Sequence, residues 1–518
     1  MNRNSQQSTR AWRVASGHAA TTRAAVTVLE AGGTAADAAV AAGLAATVAE
    51  PMLCSLGGGL HALVAQRGRA PLALDGFAHT PRQRRVDDLD FYPITGNFGT
   101  DVQEFHVGMA AIATPGMLAA LISLHRRYGR MPLQQLVEPA RALAADGVGL
   151  NDVQHYTLRI LEPIVRATEA SARLFGLAAI DAPLPDVGSV VRNPDLAGFL
   201  EPLGQEGPDL FYRGEAARRL AADSAERGGH LGLADLAGYR PRWRRPLTWR
   251  YRHARLWSTP PPAFGGMMLA LATHGLEQHL PPHCTFGDDA HLDALVRAMR
   301  DSEDLRHQLE RPDLLHSGRA LRTAFRGLID AGPWVARGTT HLSIDDGRGL
   351  AVAMTLSNGE GCGYVLPDTG IMLNNMLGEE DINRTGFHTW PLNRRLASMM
   401  APTILQCGRR RFLLGSGGSN RIRTTLAQVI CALVDFDMPL EAAIAAPRLH
   451  FERDGAAMET PPQTPPERIG WLLSRFPEAR RWPQRNLYFG GVHAVGPDSA
   501  VADIRRGGCA TSAELCAE

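Results

Sequence analysis

The sequence lacks several features that mark particular classes of protein. Its seven cysteines are scattered, odd in number and form no CxxC pair, which argues against a disulfide framework and a structural zinc site. It has no apolar run of about 18 residues and no apolar core of signal-peptide length near its start, so we expect a cytoplasmic protein without a membrane partner. Lys and Arg total 54 against 53 Asp and Glu, giving a formal charge of +1 and no global attraction to nucleic acid.

The apolar pattern predicts one large, interwoven α+β domain. Hydrophobic residues make up 45% of the 518 residues, enough for a sizeable core, and neither a long linker nor a repeat divides the chain. Apolar residues recur at helical spacing from His18 to Glu30, and residues 34–50 are small and apolar on all sides, as in a buried helix. Asp37 in that helix is expected to be a hydrogen-bonded structural carboxylate. Strands followed by helices, without strict alternation, indicate layered α+β architecture.

Residues 338–361, GTTHLSIDDGRGLAVAMTLSNGEG, predict a β-hairpin. THLSI and LAVAMTLS are strand-like, and the intervening DDGRG supplies the Asp and Gly that a tight reversal needs. With the turn centred near Gly347, Thr339 lies opposite about Thr355, and Ser357 lies one same-face step beyond. Either hydroxyl would then sit beside the backbone nitrogen of Thr339, and the spacing leaves the choice open.

Thr339 is a candidate nucleophile. A threonine hydroxyl needs an adjacent base, and a free α-amine, with a reference pKa of about 7.7 to 8.0, is such a base. Position 339 has no free amine as translated, so the chain must cut itself: the Thr339 hydroxyl attacks the Gly338 carbonyl, an ester replaces the amide, and water releases residues 1–338. Gly338 has no side chain to obstruct that attack. A lone Gly-Thr-Thr-His is nevertheless a weak signal, typical of any β-strand that follows a glycine turn.

An ordered series of segments from Ser16 to Gly508 strengthens this interpretation. The segments are AGGTAADAAVAAGLAATVAEP, LGGG, ATPGMLAAL, YGRMPLQQLVEPARALAADG, LFYRGEAARRLA, LADLAGYRPRWRRPL, STPPPAFGG, GTTHLSIDDGRGLAVAMT, PDTGIMLNNML, SMMAPTI, GSGGSNRI and APRLH. In this order they resemble the gamma-glutamyltranspeptidase family. The resemblance implies a four-layer αββα fold of the N-terminal nucleophile hydrolase type. It also implies a precursor that cleaves itself into a large chain, 1–338, and a small chain, 339–518, which together form one domain.

The resemblance also assigns the catalytic residues. The family's nucleophile matches Thr339, and the hydroxyl near its amine matches Thr355 or Ser357. The glycines that offer backbone N–H groups to the oxyanion match Gly417 and Gly418. GSGGSN lacks the proline that precedes the family's pair, so the register could shift to Gly418 and Ser419.

On the substrate side, the resemblance assigns Asn375, the second of a paired Asn, and Glu379, which matches the acidic residue that receives the substrate's amino group. Ser398 matches the second of two serines that line the acyl-donor site, while Ala397 replaces the first. We expect a small-molecule amide as donor and water or an amine as acceptor. No cofactor or metal is expected, since no Lys-Ser/Thr follows GSGGSN and prolines 281 and 282 interrupt the histidines of residues 274–284.

The departures from the family bear on substrate choice. Where the family's D-F-R-E segment places an arginine that clamps the glutamyl α-carboxylate, this chain has Phe77, which offers no bidentate fork. Met376 likewise replaces the family's Gln. Arg82 or Arg84 could compensate from the adjoining segment, although surface arginines are the simpler interpretation. The donor is therefore either a gamma-glutamyl compound, as in glutathione metabolism, or a non-glutamyl amide, which a cytoplasmic location favours.

Two other functions remain as alternatives. The chain could be a catalytically silent member of the fold that binds a ligand, in which case it would stay uncut before Thr339. Residues 239–257 carry seven arginines among Trp and Tyr and could bind nucleic acid. The neutral overall charge and the alternation in WRYRHARLW instead favour a solvated edge strand.

Overall fold

A computed structural model describes residues 11–97, 102–307, 334–335, 338–379, 386–452 and 455–514. Its centre is a seven-stranded antiparallel sheet to which both sides of position 338 contribute. The two strands that follow position 338 directly lie between strands that precede it, so the sequence on either side of the predicted cut is interleaved in one sheet. The strands, in order across the sheet, are Cys509–Glu514, Ala11–Ser16, Thr339–Asp345, Leu350–Ser357, Gly59–Gln66, Leu72–Gly76 and Arg242–Arg244.

A second, six-stranded antiparallel sheet packs against the first. Ala15, Leu63 and Ala353 of the first sheet form one buried cluster with Ile404 and Leu413 of the second. The first sheet contributes mostly alanine to this cluster, and the second contributes larger aliphatic side chains that pack against it. The strands of the second sheet, in order, are Ala500–Val501, Ala494–Val495, Arg410–Leu414, Thr403–Cys407, Ala254–Ser258 and Leu247–Tyr251.

Helices cover the outer face of each sheet, which confirms the predicted four-layer αββα fold. Helices Ala19–Glu30, Ala35–Ala49 and Met117–Tyr128 pack on the first sheet; Leu133–Asp146 packs outside Ala35–Ala49, and Pro194–Glu206 packs on Leu133–Asp146. Helix Gly265–His279 packs on the second sheet, and Asp289–His307 and Arg421–Val434 pack against that helix. The remaining helices are Asp152–Ile160, Glu162–Val165, Glu169–Leu174, Asp209–Tyr212, Glu215–Glu226, Leu233–Gly238, Leu440–Ala445 and Pro466–Arg475, with 3-10 turns at Met109–Ala111, Leu487–Phe489 and Ile504–Arg506.

Short strands complete the structure around the two sheets. Trp334–Val335 pairs in parallel with Ala397–Ser398. The others are Tyr92–Asn97 with Val102–Val107, Val148–Gly149 with Val190–Val191, Val365–Leu366 with Ile371–Met372, Ser416–Gly417 with Gly491–Val492, and Leu449–Glu452 with Gly455–Glu459 and Arg480–Trp482.

The two predicted N-terminal helices are confirmed, and local chemistry explains their starts. His18 caps the first, its Nδ1 accepting from the backbone nitrogen of Ala20 at 3.0 Å. Thr34 and Asp37 form a reciprocal capping box at the second, Ala35–Ala49. Asp37 also accepts from the backbone nitrogen of Arg130 at 3.0 Å, so it is the satisfied structural carboxylate that was predicted. A Cβ at Gly43 would lie 2.9 Å from Leu121 Cδ2, and this close packing explains why the helix is made of small residues.

The arginine-rich segment WRYRHARLW forms a hairpin, so the prediction of a single edge strand is wrong. Strands Leu247–Tyr251 and Ala254–Ser258 reverse at Arg252, whose φ is 52°, and Arg250 pairs with Arg255 across them. Only the first strand lies at the sheet edge. The turn carries no Gly or Asn, the usual signal for a left-handed backbone, which is why the sequence pattern did not reveal it.

Among the helices in the described ranges, none has the length and apolar character needed to span a bilayer.

Candidate active site

The predicted hairpin exists, but its register differs from the prediction. Thr339 pairs with Ser357, and His341 pairs with Thr355, so the expectation that Thr339 faces Thr355 is wrong by two residues. The carboxylate of Asp346 explains the shift, because its Oδ1 accepts from three successive backbone nitrogens, those of residues 348–350, and centres the turn on Arg348. A shift of two residues preserves the face of the sheet, so both hydroxyls still point the same way.

Ser357 contacts both the candidate nucleophile and the bond to be cut. The Thr339 hydroxyl donates to Ser357 Oγ at 3.5 Å, and the Ser357 hydroxyl donates to the Gly338 carbonyl oxygen at 2.5 Å. The backbone nitrogen of Gly359 donates to the same Ser357 oxygen at 3.2 Å. The Thr339 and Ser357 side chains and the two glycines are buried, so these contacts are shielded from solvent.

Thr355 lies two residues before Ser357 on the same strand, on the same face and further from the predicted cut. Its hydroxyl is 2.8 Å from His341 Nδ1, and the other ring nitrogen of His341 is 3.0 Å from Ser343 Oγ. Burial holds the pKa of His341 well below its usual range, so the ring is neutral at physiological pH. Thr355 is therefore placed to orient a neutral, buried histidine.

The neighbours of Gly338 leave no room for a side chain at this position. A Cβ at this position would lie 1.8 Å from the Gly359 carbonyl oxygen and 3.1 Å from the Met52 carbonyl oxygen. Both obstacles are backbone atoms, which cannot rotate away as a side chain does. The cleavage point is thus held against two other chain segments, and that contact fixes the orientation of the Gly338 carbonyl.

We expect Gly338→Ala to slow self-cleavage by about 100-fold, because a displacement of about 1 Å at a reacting group costs that much. The added methyl group must push the scissile carbonyl away from Ser357 to escape Gly359. Gly198→Ala is the matched control, since a Cβ there meets nothing within 4 Å. Denaturing mass spectrometry over a time course after expression measures the uncut fraction. Equal cleavage of the two variants would contradict the assigned role of this contact.

Gly417 and Gly418 lie at the carbonyl side of Thr339. A Cβ at Gly417 would lie 2.1 Å from the Thr339 carbonyl oxygen, so only glycine fits. Gly418 has a φ of +112°, and Ser419 follows with a φ of 54°. Gly418 and Gly338 line one cavity. The sequence-predicted glycines and Thr339 are therefore brought together, while the choice between Gly417–Gly418 and Gly418–Ser419 as oxyanion donors stays a prediction.

Asn375 and Glu379 gather on the other side of the cleavage point, around Gly359. A Cβ at Gly359 would lie 2.1 Å from Asn375 Oδ1 and 2.9 Å from Glu379 Oε1. Asn375 Oδ1 also accepts from the backbone nitrogen of Glu360 at 2.9 Å. Gly359 in turn contacts Gly338. A single residue, Gly359, therefore separates both predicted substrate-binding side chains from the scissile bond.

Ser398 is placed by a different contact. Its Oγ accepts from the backbone nitrogen of Met400 at 3.0 Å, and its backbone pairs with Val335. The short strand that precedes the cleavage point therefore runs along Ala397–Ser398, the pair that matches the family's two serines. In the uncut chain, the segment on the acyl side of the bond lies where the resemblance places the acyl donor.

Phe77 lines an apolar part of the structure, and two strands lie between it and Thr339. Gly59 pairs with Ser357, and a Cβ at Gly59 would lie 3.0 Å from Phe77 Cδ2. The Phe77 ring is fully buried and stacks on His61, with the ring centroids 5.5 Å apart. Its other neighbours in the cluster are also apolar: Ala78, Ala113, Met376, Leu377, Trp390, Leu396 and Met400.

The two arginines proposed to replace the clamp, Arg82 and Arg84, have other partners, and a third arginine lies closer to Phe77. The Arg82 side chain is 44% exposed with its Nε 3.9 Å from Asp235, as expected of a surface arginine. The Arg84 guanidinium lies over the Trp390 ring, 4.8 Å from its centroid. Arg395, which the sequence did not single out, is buried, donates to the Phe77 carbonyl oxygen and lies 3.4 Å from Asp75.

Glu50 and Arg506 were also missed by the sequence, although both contact the candidate site. Thr340 Oγ1 donates to Glu50 Oε2 at 2.6 Å, and Arg506 Nη1 donates to the Thr339 carbonyl oxygen at 3.0 Å. Burial raises the pKa of Glu50 to about 7. The available signals were a lone acid at the end of an apolar helix and an Arg-Arg pair near the C-terminus. Neither reveals its partner, because the contacts join residues 290 and 167 positions apart.

The chain is similar to known proteins over most of its length. The family model for gamma-glutamyltranspeptidase matches residues 21–324 and 331–512. The chain is 29% identical over 478 residues to a glutathione hydrolase proenzyme of Escherichia coli (strain K12), covering 85% of this chain and 80% of that protein. It is 30% identical over 517 residues to the Acylase ACY 1 proenzyme of Pseudomonas sp. (strain SE83), covering 94% and 90%. The cephalosporin acylase of Bacillus halodurans shares the fold, with a TM-score of 0.80 at 23% identity and coverage of 97% and 96%.

Proposed function

Because the chain belongs to the gamma-glutamyltranspeptidase family of self-processing amidohydrolases, we propose that it cuts itself after Gly338 and then works through an acyl ester on Thr339. One observation carries the proposal: Ser357 bridges the Thr339 hydroxyl and the Gly338 carbonyl oxygen. The attacking group and the group attacked are thus held by a single side chain.

These contacts support self-cleavage by a proton relay. The Thr339 oxygen attacks the Gly338 carbonyl carbon, and its proton passes to Ser357 Oγ as the Ser357 hydroxyl gives its own proton to the oxygen of Gly338. The intermediate collapses when its C–N bond breaks and that proton is transferred from the Gly338 oxygen to the Thr339 nitrogen, which leaves an ester between Gly338 and Thr339. Water then hydrolyses that ester, giving a carboxylate at Gly338 and a free α-amine at Thr339.

Turnover reuses the same atoms with a different amide. The free amine of Thr339 accepts the hydroxyl proton, and the oxygen attacks the carbonyl carbon of a small amide donor. The donor's amine leaves with a proton, and the acyl group remains as an ester on Thr339. Water or a second amine then takes the acyl group, so the products are an acid or a new amide. Backbone N–H groups at Gly417 and Gly418 are our candidates for stabilising the oxyanion in both halves.

We propose further that the donor's acyl group carries no α-carboxylate. Phe77, Met376 and Trp390 make the region of the family's carboxylate clamp apolar. Arg395 lies behind the Phe77 carbonyl oxygen and is already paired with Asp75. An incoming carboxylate would lose its hydration without gaining a bidentate partner.

We expect acyl p-nitroanilides without an amino-acid head, such as butyryl and phenylacetyl p-nitroanilide, to be hydrolysed with a kcat/KM at least about 10-fold above that of γ-glutamyl p-nitroanilide, because a charged hydrogen bond is worth about 1.5 to 3 kcal/mol. Release of p-nitroaniline measures the rate, and the mass of the 339–518 chain after acid quenching reports the acyl ester. Thr339→Ala gives the background. A preference for the γ-glutamyl donor would mean that another cation replaces the clamp, and the absence of any acyl ester would count against the mechanism itself.

A further inference from the structure

Two buried charged residues, Glu50 and Arg506, contact the start of the nucleophile's strand. Side chains alternate along a strand, so Thr339 points between the two sheets while Thr340 points into the helical layer. There Thr340 meets Glu50, which ends the helix Ala35–Ala49. The Glu50 carboxylate also accepts from Thr21 Oγ1 at 3.1 Å, so a second helix fixes its orientation.

Arg506 holds the same peptide at its carbonyl end. Its guanidinium donates to the Thr339 carbonyl oxygen at 3.0 Å. The side chain is buried, and its stem packs closely on Gly491, where a Cβ would lie 2.8 Å from Arg506 Cγ. The turn Ile504–Arg506 is capped by Asp503, which Arg448 contacts at 2.5 Å. Burial, with a smaller contribution from Arg421, lowers the pKa of Arg506 to about 10, so it remains charged near neutral pH.

We infer that Glu50 and Arg506 are positioning residues that hold the Thr339–Thr340 peptide so that the Thr339 hydroxyl stays aligned in the cleaved enzyme. The inference rests on the proposed function, in which Thr339 becomes the first residue of a chain. Terminal residues of a strand are poorly ordered unless they are tied down, whereas a nucleophile must be held within about 0.5 Å of its reacting geometry. Hydrogen bonds to the Thr340 side chain and to the Thr339 carbonyl survive the cut and supply that restraint.

The charge on Glu50 sets the strength of its hydrogen bonds to this strand. A carboxylate accepts charge-assisted hydrogen bonds from both the Thr21 and Thr340 hydroxyls, whereas a neutral acid forms only weaker, uncharged ones. The other titratable groups that face Glu50 are His18, Cys54 and Arg506. Burial lowers the pKa of His18 to about 4 and raises that of the Cys54 thiol, so both are neutral near pH 7. Among the described residues, Arg506 is thus the charged group that favours ionised Glu50 there.

Glu50→Gln and Thr340→Val test the inference from both ends of one hydrogen bond. We expect each variant to lower kcat and the self-cleavage rate by about 10-fold or more with KM little changed, because alignment is lost while the substrate pocket is kept. The double variant should be no slower than the worse single variant, since both changes remove one contact. Thr47→Val is the control. It removes a buried hydroxyl from the same helix, and within the described part of the chain that hydroxyl donates to the Leu44 carbonyl oxygen and not to the site.

The pH dependence of activity distinguishes a role of Glu50 in aligning Thr339 from a role in stabilising the fold. The wild type should lose activity as the pH falls through about 7, where Glu50 protonates, and Glu50→Gln should lack that step while keeping the one near the amine pKa of about 7.7 to 8.0. If Glu50→Gln fails to fold, Thr340→Val carries the same test. A processed, active wild type whose kcat and pH profile match those of the variants would overturn this inference alone. An unprocessed wild type would overturn the proposed function together with it.

Discussion

Thr339→Ala is expected to remain a single chain of 518 residues and to show no amide hydrolysis above background. Without the hydroxyl, neither the ester with Gly338 nor an acyl ester with a donor can form, so activity should fall by more than about 10³-fold. The wild type should show two chains, the smaller beginning at Thr339. Denaturing mass spectrometry of the two proteins, purified in parallel, makes the comparison.

Thr339→Ser is the matched control for that result. Serine keeps the hydroxyl and removes only the methyl group, so this variant should still be cut and should retain measurable activity. Two chains in Thr339→Ala would show that another protein cuts this one and would remove Thr339 from the mechanism. A single chain in all three proteins would mean that no free amine is available as a base, and it would favour a ligand-binding protein.

The layers of the fold were predictable because each segment carries its own periodic signal. The apolar spacing from His18 to Glu30 and the all-round apolar run in residues 34–50 predicted the first two helices, and both are present. Fold class followed from the resemblance and from these signals together. The helical layers pack as expected because small residues such as Gly43 permit close approach to Leu121.

The hairpin shows where local signals stop being sufficient. Gly347 has a positive φ, but so does Gly349, and the composition DDGRG does not say which residue is the centre of the turn. The three hydrogen bonds accepted by Asp346 select Arg348. With the turn centred on Arg348, Thr339 pairs with Ser357 and not with Thr355 as predicted. The two candidate hydroxyls could therefore be proposed from sequence, whereas their order required the coordinates.

Contacts between distant segments were beyond the sequence altogether. Thr340 meets Glu50 and Thr339 meets Arg506 only because the central sheet interleaves strands from both sides of position 338. The same holds for Arg395, which reaches Phe77 from 318 positions away. A buried charge is recognisable only when its partner is known, since its tolerance depends on that partner.

Ser357→Ala is expected to slow self-cleavage by about 10²- to 10³-fold, the usual cost of removing one donor to a developing oxyanion. The variant loses the 2.5 Å hydrogen bond to the Gly338 carbonyl oxygen and the acceptor of the Thr339 hydroxyl. The uncut fraction can be followed by denaturing mass spectrometry during incubation of freshly purified precursor. Turnover of fully processed Ser357→Ala then reports whether the hydroxyl also serves the mature enzyme.

Thr355→Val provides the comparison that separates the two hydroxyls. Thr355 bonds to the buried His341 ring, so its loss should leave the cleavage rate near that of the wild type while lowering the free energy of unfolding by about 1 to 3 kcal/mol, the cost of an unpaired buried polar group. Urea unfolding of uncut Thr339→Ala, with and without Thr355→Val, measures that difference in one chain. If Thr355→Val blocked cleavage and Ser357→Ala did not, the nucleophile would be aligned through His341 and Thr355, and the observed contact between Ser357 and Gly338 would have only a structural role.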